Sequence, residues 1–324
     1  MSPLWRQIQR QTFTSVAALA DFLELPPLLQ KRLLVRARFP LRLPYRLAEK
    51  IEKKTLDDPL LRQFVPLMDE EMQNSGFCAD PVQDQQFRKA KKLLHKYQGR
   101  ALLLATSACA MHCRFCFRQH FPYETDEPSF TQELQYLSED SSISEVILSG
   151  GDPLSLGDER LDALLSALAK IPHVRRIRFH TRFPIGIPER IDDSLIQILQ
   201  KVDKQIYFVL HINHPREVDT GLFAFLRRLL QIGIPLLSQT VLLKGVNDDL
   251  EVLVELFESL VDGGIIPYYL HELDPVEGGA HFFVAKERER ELVQALQARL
   301  PGYAVPRWVR EEPGKAHKII LTEQ

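Results

Sequence analysis

The run Ala101-Leu102-Leu103-Leu104-Ala105-Thr106-Ser107-Ala108-Cys109-Ala110-Met111-His112-Cys113-Arg114-Phe115-Cys116 sets three cysteines at C-x3-C-x2-C spacing directly behind an apolar, strand-like stretch. Three thiolates are one short of the four ligands that close a structural zinc site or hold an ordinary four-iron cluster. The one other cysteine, Cys78, lies thirty-one residues upstream and reads as a buried apolar thiol outside the ligand set. A four-iron cube on three thiolates keeps one iron open to a small molecule. A zinc ion completed by His112 or His120 is the competing reading of the same spacing.

Working outward, the chain repeats short apolar runs and amphipathic stretches about every thirty residues. Strands are expected at Ala101–Thr106, Glu145–Ser149, Arg176–His180, Ile206–Ile212, Pro235–Leu243 and Ile265–His271, with helical periodicity over 130–139, 158–170, 192–201, 217–231 and 248–262. Alternating β and α elements predict an α/β fold with a parallel sheet. Six strands are too few for a closed eight-fold barrel, and chemistry in such folds belongs at the carboxyl ends of the strands, where the cysteines fall. Upstream, residues 1–98 read as a mainly helical N-terminal region punctuated by Pro26, Pro27, Pro40, Pro44, Pro59 and Pro66. The expected division is 1–98, a core at 99–284, and a short C-terminal segment at 285–324.

Composition excludes several function classes. With 324 residues, 45% hydrophobic and 26% charged, the chain has the balance of a soluble globular protein. No signal-like or membrane-length apolar run is present, and clustered rather than paired cysteines fit a reducing cytosol. A net charge of −2 argues against broad nucleic-acid binding. Residues 1–54 carry eleven Lys or Arg against four Asp or Glu, which reads as a solvated basic surface.

Polar groups gather at the expected strand ends. Ser149-Gly150-Gly151-Asp152-Pro153 follows the second strand, and paired glycines let backbone approach a polar ligand. His180-Thr181-Arg182, His211-Ile212-Asn213-His214 and Gln239 end the next three strands, a polarity that an apolar core does not need.

The cysteine spacing resembles that of radical S-adenosylmethionine (SAM) enzymes, in which the open iron of a [4Fe-4S] cluster chelates SAM. The resemblance narrows to the lysine 2,3-aminomutase family. It is carried by Asp58–Gln63, the cysteine loop, Ser149–Pro153, His211–Pro215, Leu242-Leu243-Lys244-Gly245-Val246-Asn247-Asp248 and Pro267–His271, and covers nearly all of the chain. It implies a partial (βα)6 TIM-like radical SAM barrel with an N-terminal helical appendage and a short C-terminal segment that binds pyridoxal 5′-phosphate (PLP).

The resemblance also implies roles. Cys109, Cys113 and Cys116 hold the cluster; Ser149, Gly150, Gly151, Asp152, His211 and Gln239 contact SAM; Lys318 holds PLP as a Schiff base, with Lys315 the runner-up because the glycine run before the lysine is reduced to Pro313-Gly314. Arg100 matches a basic position near the PLP phosphate, Arg118 the grip on the substrate carboxylate, and Asp274 and Glu311 the acceptors of the distal ammonium. Glu311 departs from the Asp of lysine 2,3-aminomutase proper.

The implied reaction moves the amino group of L-lysine from C2 to C3, with a reductant such as flavodoxin or ferredoxin supplying the electron. The sequence ends six residues after Lys318, which favours the branch that supplies β-lysine to elongation factor P through a separate lysine ligase. The alternatives are a lysine 2,3-aminomutase making free β-lysine in lysine metabolism, a radical SAM enzyme without PLP, and a zinc-binding interaction module.

Overall fold

The computed structural model describes residues 2–72, 74–124 and 129–322. Among the described residues, ten strands form one sheet in strictly sequential order. They are β1 (Arg88–Ala90), β2 (Leu93–Tyr97), β3 (Arg100–Thr106), β4 (Glu145–Gly150), β5 (Arg176–Thr181), β6 (Gln205–His211), β7 (Leu236–Val241), β8 (Ile265–His271), β9 (Arg307–Arg310) and β10 (Ile319–Ile320). From β3 to β9 every neighbouring pair is parallel, while β1, β2 and β10 add antiparallel margins.

Helices Thr131–Glu139, Asp158–Ala169, Asp193–Gln200, Thr220–Gln231, Leu250–Asp262 and Lys286–Arg299 return the chain between parallel strands. Three of them start on aspartates: Asp192, Asp219 and Asp249 each accept backbone N–H groups of the first turn, a cap that contributes about 1 kcal/mol.

Two faces of the strands differ in chemistry. On β5, Ile177 and Phe179 are fully buried in the hydrophobic core, and Phe179 stacks on Phe208 with 4.6 Å between centroids. Arg176, Arg178 and His180 alternate with them and are only partly buried, so they face the lumen of the curved sheet. The same alternation turns His211, Gln239 and His271 inward at the ends of β6, β7 and β8.

Curvature is visible in a single contact. Lys96 on β2 and Glu311 just past β9 are separated by seven strand positions, about 34 Å in a flat sheet at ~4.8 Å per strand. Their charged atoms lie 2.5 Å apart. The sheet therefore curls into the partial barrel expected from the sequence, and residues 78–97 fill the seam: Cys78 N–H donates to Pro275 O at 2.9 Å and Glu277 N–H to Cys78 O at 3.0 Å.

Several sequence expectations change. The parallel sheet has seven strands rather than six, because Arg307–Arg310, four residues with arginine at both ends, joins it beside β8. The fifth expected strand starts at Leu236, not Pro235, since proline has no N–H to give the ladder. Residues 1–98 are less helical than expected. Helices Leu4–Arg10 and Val16–Phe22 are followed by four- to six-residue turns started by Pro27, Pro44 and Pro59, and then by β1 and β2. This region shares one core with the barrel: Trp5, Leu19, Leu43 and Phe64 belong to the same buried cluster as Leu148, Phe179 and Leu256. Cys78, expected buried, is exposed because its backbone, not its thiol, makes the bridge to Val276. Among the described residues no helix is long and apolar enough to cross a membrane.

Candidate active site

The cysteine loop leaves β3 at the lumen mouth and is anchored on both sides. Phe115 is buried against Phe282, edge-on at 5.9 Å, and Arg114 is clamped by Glu70 and by the Phe39 carbonyl. Gly150 and Gly151 fix the other side. Gly150 has φ of +113°, and a Cβ on Gly151 would fall 2.4 Å from the Ala108 carbonyl oxygen. The space that the glycine pair keeps open is therefore occupied by the cysteine loop itself, with Gly151 N–H donating to Thr106 O at 2.7 Å and Asp152 N–H to Ala108 O at 2.8 Å.

Asp152, expected among the SAM contacts, is used by the protein. Its carboxylate accepts from Leu154 N–H, Thr181 Oγ1, Arg182 N–H and Phe183 N–H at 2.7–3.0 Å. It ties the end of β4 to the end of β5.

Burial pushes all three clustered thiols up, Cys116 to about 11, with charge on neighbouring groups adding to the rise. Arg182 opposes this at Cys113, donating from Nη1 to Sγ at 2.9 Å. The thiols are protonated at neutral pH without metal, so loading a cluster must release protons. The candidate fourth ligands of a zinc site are engaged elsewhere: His112 contacts Pro40 O at 2.8 Å and stacks on Phe39, and His120 contacts Glu277 O at 3.2 Å. Among the described residues no three His, Cys, Asp or Glu side chains converge on a single ion position.

Deeper in the lumen stand the residues carried by the resemblance. Arg118 is buried; Nε donates to Asp84 at 2.8 Å and Nη1 to Ser149 Oγ at 3.3 Å. Burial, reinforced by the Glu311 and Asp84 charges, pushes Asp274 up to about 7 against the opposing pull of Lys318. Glu311 is the reverse case. Burial raises it, but Lys318, Lys96 and Tyr97 together bring it down to about 2. Lys318 Nζ donates to its Oε2 at 2.6 Å, and Tyr97 OH to its Oε1 at 2.5 Å.

Local folding explains that pairing. A hairpin turning at Gly314, φ +78°, sets Ile319 opposite Arg310, which brings Lys318 alongside Glu311. Lys315 is exposed at the turn. His180 and His271 are held well below the usual imidazole range, first by burial and then by cations including Lys318. His211, lowered to about 3 by burial and Arg182, pairs with Asn213 Oδ1 at 3.2 Å. Gln239 is its partner across the ladder.

Arg100 sits at the opposite end of β3 from the cysteines, its guanidinium 4.5 Å from the Tyr97 ring centre. The structure thus brings Arg118, Ser149, Asp274, Glu311 and Lys318 to one lumen and shows four further features that sequence reasoning missed: Asp84, Lys96, Tyr97 and the contact of Arg182 with Cys113. Their sequence signal is weak, because each acts on a residue distant along the chain.

The residues fit the groups that the sequence implies. Three clustered thiols suit an iron–sulfur cube, and the primary amine of Lys318, paired with Glu311 at the lumen, suits PLP.

The Radical SAM superfamily pattern matches residues 103–257. Proteins named L-lysine 2,3-aminomutase are similar along most of the chain. The Escherichia coli protein is 42% identical over 289 residues, 88% of this chain and 84% of that protein. The Haemophilus influenzae protein is 39% identical over 323 residues, 98% and 96% respectively. The Buchnera aphidicola protein is 38% identical over 294 residues, 90% and 86%. With its radical SAM core and these relatives, the chain belongs to the L-lysine 2,3-aminomutase family.

Proposed function

We propose that the protein is an L-lysine 2,3-aminomutase that uses a [4Fe-4S] cluster, SAM and PLP. The observation that carries this reading is the set of charges gathered in the lumen: the buried Arg118 guanidinium, the Asp274 and Glu311 carboxylates, and Lys318 in the field of both. A cation paired with two separated carboxylates suits an amino acid whose side chain ends in an ammonium.

When bound, the cluster and SAM supply a 5′-deoxyadenosyl radical and PLP a π system that spreads an unpaired electron. The chain's residues do the rest. Cys109, Cys113 and Cys116 hold the cluster, with Ser149, Gly150, Gly151, His211 and Gln239 around the SAM position; Asp152 shapes that loop from behind. Arg118 offers its guanidinium to the substrate carboxylate, a planar donor suited to two oxygens, while Asp84 holds its Nε and thereby its direction. Asp274 and Glu311 receive the ε-ammonium. A bound ammonium favours ionised Asp274, so lysine binding near neutral pH releases a proton from that carboxyl. Lys318 would hold PLP through Nζ, and Arg100 would serve its phosphate. The curled sheet and the 78–97 segment close the barrel seam beside the lumen.

The product, β-lysine, serves elongation factor P modification in the cytosol through a separate ligase, with flavodoxin or ferredoxin as electron source. This finer assignment rests on resemblance to that branch of the family. Borohydride reduction of the PLP-loaded protein tests the site. PLP is expected to be fixed on Lys318, to be displaced when lysine is present, and to be fixed normally in Lys315→Ala. PLP fixed elsewhere, or unaffected by lysine, overturns the reading.

A further inference from the structure

Arg182, directly after β5, is 6% exposed. Three groups share its guanidinium: Nη1 donates to Cys113 Sγ at 2.9 Å, and Nη2 donates to Gln63 Oε1 at 2.7 Å and Glu217 Oε2 at 2.8 Å. Phe64 and Phe115 cover it at 4.6 and 5.5 Å from their ring centres. Its own N–H is held by Asp152 at 2.7 Å, which fixes where the side chain starts.

Glu217, its counter-charge, is fully buried and further held by Asn213 N–H at 3.0 Å and Gln63 Nε2 at 3.1 Å. The Nε of Arg182 is buried with no partner among the described residues. A buried ion pair alone is weak evidence for anything. Placing one end on a cluster cysteine is a different matter, and the amino migration outlined above makes no use of it.

We infer that Arg182 is a positioning residue that sets the reduction potential of the cluster through Cys113, with Glu217 as the opposing charge. This rests on the three cysteines holding a [4Fe-4S] cluster. Reduction adds one electron to the cluster, so the reduced form carries one more negative charge. An N–H donated to a ligating sulfur and a buried cation beside it both favour that form, raising the potential; hydrogen bonds to sulfur and local charge are known levers on such clusters. Glu217 pulls the other way and holds the potential low enough for the electron to be passed to SAM.

The test is an EPR-monitored redox titration, without SAM, of anaerobically reconstituted wild type, Arg182→Gln, Arg182→Lys and Glu217→Gln, each with its iron and sulfide content determined. Arg182→Gln is expected to shift the midpoint negative by about 59 mV, a tenfold change in a one-electron equilibrium. Arg182→Lys, which keeps the charge and loses the fork, is expected to shift it less in the same direction. Glu217→Gln is expected to shift it positive. A purely structural role would not give opposite signs. Midpoints that coincide with wild type, or that move the same way in the Arg182 and Glu217 variants, overturn the inference. If wild type binds no iron and sulfide, it is the cluster reading that fails.

Discussion

Lys318 Nζ stands 2.6 Å from Glu311 Oε2 across the hairpin between β9 and β10, while the other Glu311 oxygen holds Lys96 and Tyr97 of β2 at 2.5 Å. One carboxylate therefore joins the PLP-bearing candidate to the strand that faces it across the barrel seam. Substrate ammonium and PLP must both compete with these contacts.

Removing that charge should be felt in substrate binding. A charge-assisted hydrogen bond contributes about 1.5–3 kcal/mol, so Glu311→Gln is expected to raise the KM for lysine roughly tenfold to a hundredfold. Steady-state β-lysine formation over a lysine series reads this. A KM within twofold of wild type would remove Glu311 from the ammonium site.

Asp274 gives a signed pH prediction for the protein without substrate. Its folded value of about 7 lies above the unfolded 3.8, so the native state binds the extra proton. That contribution to stability is fully present below the unfolded value and is lost as pH rises through 7. Asp274→Asn abolishes the loss. The variant should match wild type near pH 4 and exceed it by a few kcal/mol at pH 8, because each tenfold difference in proton affinity between folded and unfolded chain corresponds to ~1.4 kcal/mol. Urea midpoints measured across that range check it; parallel curves for the two proteins would contradict it.

Gly151 should control cluster loading rather than folding. A methyl group there meets the Ala108 carbonyl at 2.4 Å, so the cysteine loop must move, at a cost of about 1–3 kcal/mol. Gly151→Ala is expected to keep its helical circular dichroism while retaining much less iron after reconstitution. Full iron content would show that the glycine is not needed to seat the loop.

The legible part of this fold is its periodic part. The strand at Arg176–His180 and the helices over 192–201, 217–231 and 248–262 are readable from apolar runs and periodicity, whereas the two faces of that strand and the aspartate caps of those helices come from the structure. Arg307–Arg310 and Arg88–Ala90 are too short for periodicity to reveal, and become strands only because a neighbouring edge is free to pair. In the site, C-x3-C-x2-C spacing is a local signal and is readable. The Asp84–Arg118 and Arg182–Cys113 contacts are not local, since 34 and 69 residues separate the partners. Gly150 and Gly151 signal close approach of backbone, and the structure has it, but what approaches is the chain's own loop. Asp152, polar and at a strand end, looks like a ligand contact in sequence; only the structure shows both its oxygens engaged.

The most direct test of the central claim is anaerobic reconstitution of the cluster followed by incubation with SAM, PLP, a reductant and L-lysine, with β-lysine resolved from α-lysine by chromatography and mass detection. β-Lysine that forms only when SAM, PLP and the cluster are all present, and not with Lys318→Ala, is the predicted result. Cleavage of SAM to 5′-deoxyadenosine with no β-lysine would contradict the account, leaving the radical chemistry of the cysteine loop but assigning the lumen to a different substrate.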